Sequence, residues 1–240
     1  MNGVYKTPEL KLKSKFVEII HKMALKLWRF LPPLDPLSNP SKGDRCVEYG
    51  FVIKILMNID KNKYKKVLDI GCFASPLTTI IKEISFSIDG IDLLPSPYIY
   101  DGVNYFQGDF ISVDFKISYD VIILCSTIEH IGLKSRYGSS EIKEGDIKTL
   151  KKIKNILNPD GILILTIPYG VEKTIRPFHR VYNKKSKLLK YAYANFKILQ
   201  EEFYKNNSKN IWIKCEEKAA REVNPSENNW ALGLFAFIKK

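Results

Sequence analysis

KVLDIGCFAS, residues 66–75, is a short apolar run that ends in a glycine turn. Such a run reads as a buried strand leading into a loop. The same unit recurs on moving outward. SPLTTIIKEI (75–84) has helical spacing, SIDGID (87–92) reads as a second strand, and NYFQGD (104–109), beyond a Pro-rich loop, as a third. YDVIILCST (119–127) is apolar enough to be a central strand covered on both faces. IKTLKKIKNIL (147–157) predicts a helix stopped by Asn158-Pro159-Asp160-Gly161, and GILILTIP (161–168) another buried strand. Alternation of this kind places parallel strands side by side through right-handed crossovers, giving a doubly wound α/β sheet.

On the N-terminal side, DRCVEYGFVIKILMNI (44–59) predicts a helix and LPPLDPLSNP (31–40) an extended linker. Residues 9–30 place Leu12, Phe16, Ile19, Ile20, Met23, Leu27 and Phe30 at three-to-four-residue steps, as an amphipathic helix does. That helix reads as packed on the domain or lidding its site, with peripheral membrane contact through 9–30 as the alternative. After residue 182 a helix (184–195) leads into FKILQEEFY (196–204), IWIKCEE (211–217) and WALGLFAFIKK (230–240). The last predicts an antiparallel strand at the sheet edge. The organisation expected is a helical N-terminal extension and Pro-rich linker over 1–43, then one α/β domain over 44–240.

The chain has 240 residues, 45% of them hydrophobic, 12% aromatic and 27% charged, which suits a sizeable core and excludes wholesale disorder or coiled coil. Without an apolar signal-peptide core or a membrane-length apolar run, a cytoplasmic location is the expectation. The four cysteines (Cys46, Cys72, Cys125, Cys215) lie far apart, which fits neither zinc ligation nor a disulfide framework, so they read as reduced core thiols and no metal is expected. Lys+Arg 38 against Asp+Glu 26 gives +12, which raises nucleic acid as a partner. Only six of those bases are Arg (Arg29, Arg45, Arg136, Arg176, Arg180, Arg221), whereas phosphate-reading surfaces favour its forked donors. A generic solvated lysine surface is the favoured reading.

In an open α/β sheet, ligands bind beyond the carboxyl ends of the strands, where strand order reverses. The residues there are Asp69-Ile70-Gly71-Cys72-Phe73-Ala74-Ser75 after strand one, Asp92 after strand two, Asp109-Phe110 after strand three, and Ser126-Thr127-Ile128-Glu129-His130 after strand four. Asp92 stands 21 residues beyond Gly71, where a carboxylate suits ribose hydroxyls. Phe73 occupies the place of the second glycine of GxGxxG, which disfavours close approach of a dinucleotide pyrophosphate. A ligand with a sulfonium and an amino-acid tail asks less of this turn.

These segments resemble the class I S-adenosylmethionine-dependent methyltransferases. VLDIGC (67–72), GIDL (90–93), GDF (108–110), YDVIILCSTIEHI (119–131) and LNPDGILILTIP (157–168) follow the family's order and intervals over roughly 45–170. The EHI after strand four and the PDG turn before strand five resemble the subgroup acting on small metabolites, lipids and sugars. His179-Arg180-Val181-Tyr182 resembles that subgroup's H-x-R-x-[YF] segment. The family's GxGxG is here Gly71-Cys72-Phe73-Ala74-Ser75, a departure that keeps small residues but requires Phe73 to point away from the methionine part. The resemblance implies a Rossmann-like sheet of seven strands with S-adenosyl-L-methionine as cofactor.

Residue by residue it implies that Gly71, with Cys72 and Phe73 beside it, admits the methionine part and that Asp69 shapes the turn. Asp92 would accept from the ribose hydroxyls, and Leu93 would pack on the adenine. Asp109 would accept from the adenine amino group, with Phe110 flanking the ring. Ser126 or Thr127 would lie beside the sulfonium, while Glu48 and Tyr49 are candidates to cover the cofactor. A hydroxyl acceptor must lose a proton, for which histidine is suited near neutral pH. His130, with Glu129 as partner or as buttress, and His179 are the candidates. Arg136, Arg176, Arg180 and Tyr182 are candidates to bind the acceptor, the arginines as a clamp on phosphate or carboxylate. STIEH stands where base-amine methylation uses [DN]PP[YF], so the expectation is O-methylation of a small-molecule or glycan acceptor. An RNA-modifying enzyme and a non-catalytic cofactor-binding protein are the alternatives.

Overall fold

Five strands, β1 (Lys66–Ile70), β2 (Ser87–Asp92), β3 (Val103–Gln107), β4 (Tyr119–Cys125) and β5 (Leu157–Tyr169), run parallel in the order β3-β2-β1-β4-β5. The computed structural model describes residues 43–73, 75–95, 101–134, 140–176, 179–207, 211–226 and 229–240. The expected helix over 9–30, the linker over 31–40 and Arg136 lie outside these residues. Among the described residues no helix is long and apolar enough to cross a membrane.

Past β5 the sheet turns antiparallel: β10 (Ala231–Lys239) pairs with β5 and with β8 (Phe196–Asn206), and β8 pairs with β9 (Trp212–Cys215). Among the described residues the main sheet therefore has eight strands rather than seven, because IWIKCEE supplies a strand of its own. The C-terminal strand is antiparallel as expected, but it lies inside the sheet and β9 forms the rim. The cause is compositional: Ala231 to Phe237 are all buried, so β10 is apolar on both faces, as interior strands are.

Side chains alternate to two cores. Val67, Val121, Ile123, Ile164 and Leu234 face helices α1 (Asp44–Asn58) and α2 (Leu77–Glu83). Leu68, Ile122, Leu124, Leu165 and Phe235 face α3 (Gly145–Ile156), α4 (Lys187–Asn195) and the short α5 (Glu217–Arg221). The Asn158–Gly161 turn is a kink within β5 rather than a loop before it. Asp160 is left-handed (φ 58), and the register with β4 jumps from Tyr119↔Leu157 to Val121↔Ile162. A hairpin of β6 (Lys173–Ile175) and β7 (His179–Val181) stands apart from the main sheet. Of the cysteines, Cys72 is buried, Cys125 and Cys215 are intermediate, and Cys46 is exposed rather than part of the core.

Candidate active site

Strand order reverses between β1 and β4, and a cavity of about 390 Å³ opens there at the carboxyl ends of the strands. Asp69, Gly71 and Phe73 line it from the β1 turn, Asp92 and Leu93 from the end of β2, and Asp109 and Phe110 from beyond β3. Ser126, Thr127 and His130 line it from the loop after β4.

The β1 turn needs its glycine. Gly71 has φ +85, and a Cβ there would meet Thr127 Oγ1 at 2.2 Å, so no other residue fits between the two loops. Asp69 is buried and accepts from Thr78 Oγ1 at 2.7 Å, tying the turn to α2. Burial pushes its carboxyl up to about 6. The Asp92 carboxylate accepts from the Phe73 N–H at 3.0 Å and the Leu94 N–H at 3.0 Å, so it braces the turn that carries Phe73. Each oxygen keeps a further lone pair for a ligand hydroxyl. Its burial raises the carboxyl, and those two amides oppose the rise. Asp109 caps its own turn, accepting from Ile111 N–H at 2.9 Å. Cys72 is buried beneath the turn and does not line the cavity.

The loop after β4 is held from behind. Ser126 has φ 45, and its N–H donates to Thr166 Oγ1 at 2.9 Å. The fully buried Glu48 of α1 accepts from the Ser126 hydroxyl, from Thr166 Oγ1 at 2.7 Å and from Arg45 Nη1 at 2.8 Å. Glu48 thus joins α1, β4 and β5 beneath the cavity without lining it, whereas Arg45 and Tyr49 do line it. Arg45 was not singled out as a site residue in the sequence. Its one signal is a position three residues before Glu48, on the helix that leads to β1.

The residues expected on the acceptor side divide. Glu129 is buried, with Oε1 3.7 Å from His130 Nε2, and Oε2 accepts no hydrogen bond in the described structure. The His179 ring lies 6.2 Å from His130 and 5.1 Å from Trp230, centroid to centroid. It sits on β7, and it does not line the cavity. Arg180 donates from Nη1 to the carbonyls of Ile131 (2.8 Å) and Glu129 (3.3 Å), which fastens β7 to the loop after β4. Tyr182 is buried and donates to Asp146 Oδ2 at 3.0 Å. Arg176 is exposed and pairs with Glu141 at 3.0 Å. Arg180, Tyr182 and Arg176 are thus engaged with the protein itself, and no arginine clamp is assembled among the described residues. The His179–Tyr182 segment is thus fastened to the loop after β4 and to Asp146, with Val181 buried between.

Burial pushes the Glu129 carboxyl up to about 8, above its usual 4.5. The folded protein then holds this proton to near pH 8, while the unfolded chain releases it near 4.5. Stability from this group is full below pH 4.5 and is lost as pH rises through 8. Glu129→Gln keeps the neutral shape, so its melting temperature should gain about 10 °C on wild type between pH 5 and pH 8.5. A gap independent of pH in paired thermal melts would refute this.

The sheet order, the reversal and the acids beyond β1, β2 and β3 define the class I methyltransferase fold. N-methyltransferase NodS from Bradyrhizobium japonicum WM9 superposes with a TM-score of 0.55 at 13% identity, over 81% of this chain and 95% of NodS. A second NodS structure, in complex with S-adenosyl-L-homocysteine, gives 0.55 at 12% identity over 91% and 98%. The 1,6-didemethyltoxoflavin-N1-methyltransferase of Burkholderia thailandensis, with 1,6-didemethyltoxoflavin and S-adenosylhomocysteine bound, gives 0.53 at 12% identity over 99% and 94%. No curated protein matches the chain in sequence. Residues 106–231 match the family described as "Caenorhabditis protein of unknown function, DUF268", and the chain belongs to that family.

Proposed function

We propose that the protein is an S-adenosylmethionine-dependent methyltransferase acting on a hydroxyl of a small metabolite or glycan. The observation that carries the cofactor reading is the convergence of Asp69, Asp92 and Asp109, from the ends of three adjacent strands, on one cavity with Leu93 and Phe110 between them. Carboxylates for ribose and an adenine amine, flanked by apolar side chains, suit an adenosine-bearing cation. The structures of NodS and of the toxoflavin enzyme with S-adenosylhomocysteine bound support the same ligand.

Bound S-adenosylmethionine supplies a methyl already electrophilic on its sulfonium. The protein's share is alignment and exclusion of water. In this reading Asp92 fixes the ribose, Asp109 and Phe110 hold the adenine, and Ser126 and Thr127 border the methyl. His130 takes the acceptor's proton, and the buried Glu129 beside it keeps the imidazole ring in place. The lining includes these three carboxylates and Arg45, which suits a small neutral acceptor better than a polyphosphate chain.

The test is calorimetric titration with S-adenosylmethionine, S-adenosylhomocysteine and NAD, followed by transfer of labelled methyl to pooled hydroxylated acceptors. Micromolar binding to the first two and none to NAD is expected. Binding without transfer to any acceptor would favour a non-catalytic cofactor-binding protein, and no binding would end this reading.

A further inference from the structure

Asp109 and Phe110 lie on an irregular segment between β3 and β4, and the grip on that segment comes from Lys152. This lysine, on the inner side of α3, donates from Nζ to the carbonyls of Phe110 (2.5 Å), Ile111 (3.0 Å) and Val113. Its ammonium also sits 5.0 Å from the centroid of the Phe110 ring and 5.4 Å from that of Phe115. The two rings touch at 5.6 Å, and Phe115 also packs edge-on against Tyr119 at 6.0 Å. Ser112 and Val113 amides both return to the Asp109 carbonyl, so residues 109–113 form one tight turn. That turn leaves carbonyls pointing out at its far end, where a cation satisfies them.

We infer that Lys152 is the positioning residue of the adenine subsite. Three carbonyls and two ring faces meet one ammonium, and Nζ is in no ion pair among the described residues. Dipoles therefore hold the charge in place, and it holds the turn in return. Phe110 is the link: its carbonyl and its ring both meet Lys152, and it also lines the cavity next to Asp109. Lys152 lines no part of that cavity. Its influence on a ligand is exerted through the turn and through its charge on the Asp109 carboxylate that the turn carries. No other lysine of α3 is so placed: Lys148 and Lys151 are exposed, and Lys154 donates to Asn195 at 2.8 Å.

This inference rests on the cofactor reading above, and its test separates the two. Lys152→Met keeps the length of the side chain and removes the charge and all three donors. It should weaken S-adenosylhomocysteine binding about tenfold, raise KM for S-adenosylmethionine by a similar factor and leave kcat at saturation within about twofold. The variant should also lose part of the preference for S-adenosylhomocysteine over its hypoxanthine counterpart, because that preference depends on where Asp109 is held. Lys152→Arg keeps the charge but cannot direct three donors at one point, so it should fall between the two. It also carries the test should the methionine variant not fold. Lys151→Met, one position along on the exposed side, should match wild type throughout. A lowered melting temperature with unchanged affinity and unchanged base preference would make Lys152 merely structural and overturn the inference. If wild type itself does not bind S-adenosylhomocysteine, the cofactor reading falls, and the inference with it.

Discussion

Asp92→Ala is expected to lower affinity for S-adenosylhomocysteine about 100-fold or more. Two losses add. The ribose would lose a charged acceptor, for which hydrogen bonds to a carboxylate contribute roughly 1.5–3 kcal/mol each. The Phe73 and Leu94 amides, both now satisfied at 3.0 Å, would also be released, and the β1 turn would lose its brace to β2. Asp92→Asn separates these effects, since an amide oxygen accepts from only one of the two and its nitrogen opposes the other. It should fall between alanine and wild type. Calorimetry with a thermal melt as control is sufficient, and wild-type affinity in a folded Asp92→Ala variant would remove Asp92 from the ribose site.

The largest effect on stability should follow Glu48→Ala. Arg45 is half exposed and can turn to solvent, but the Thr166 and Ser126 hydroxyls would lose their buried acceptor and a cavity would replace the side chain, together about 3–5 kcal/mol. For a domain of this size that lowers the melting temperature by about 10 °C. Burial raises the Glu48 carboxyl, while Arg45, Ser126 and Thr166 favour its charged form. All three would lose their acceptor at once. Because Ser126 borders the cavity in a left-handed conformation, cofactor binding should weaken as well. A melting temperature within about 2 °C of wild type would show that α1 is held by apolar packing alone.

Glu48 also marks where the sequence stops being informative. The alternation of strands and helices, the acids beyond β1, β2 and β3, and the reversal beside β1 are local patterns, and the chain spells them out in order. Most of the residues so marked, among them Asp69, Asp92, Asp109 and His130, line one cavity. A carboxylate among Val47, Phe51, Val52 and Ile55 on the buried face of α1 gives no sign of which strand ends it meets, because Thr166 lies more than a hundred residues away. The same limit applies to Arg180 and Tyr182. Their spacing resembles a substrate segment, but only the tertiary packing shows Asp146 and the Ile131 carbonyl as their partners. Position within the sheet is equally non-local. WALGLFAFIKK announces a strand and not the two neighbours it separates, although its lack of alternation fits an interior place.

That interior place governs the order in which the protein can assemble. The five parallel strands pair with one another and need nothing from beyond Tyr169 to begin a sheet. β8 and β9 form their own antiparallel pair, yet among the described residues β8 has no ladder with β5 and reaches the sheet only through β10. β10 comes after both in the chain, so the β8–β9 pair must wait, its inner edge open, until a later segment enters between it and β5. Closing so long a loop is slow, and an open strand edge during the delay invites pairing with other chains. Joining the two halves of the sheet is the step at which folding of this chain is most exposed to aggregation.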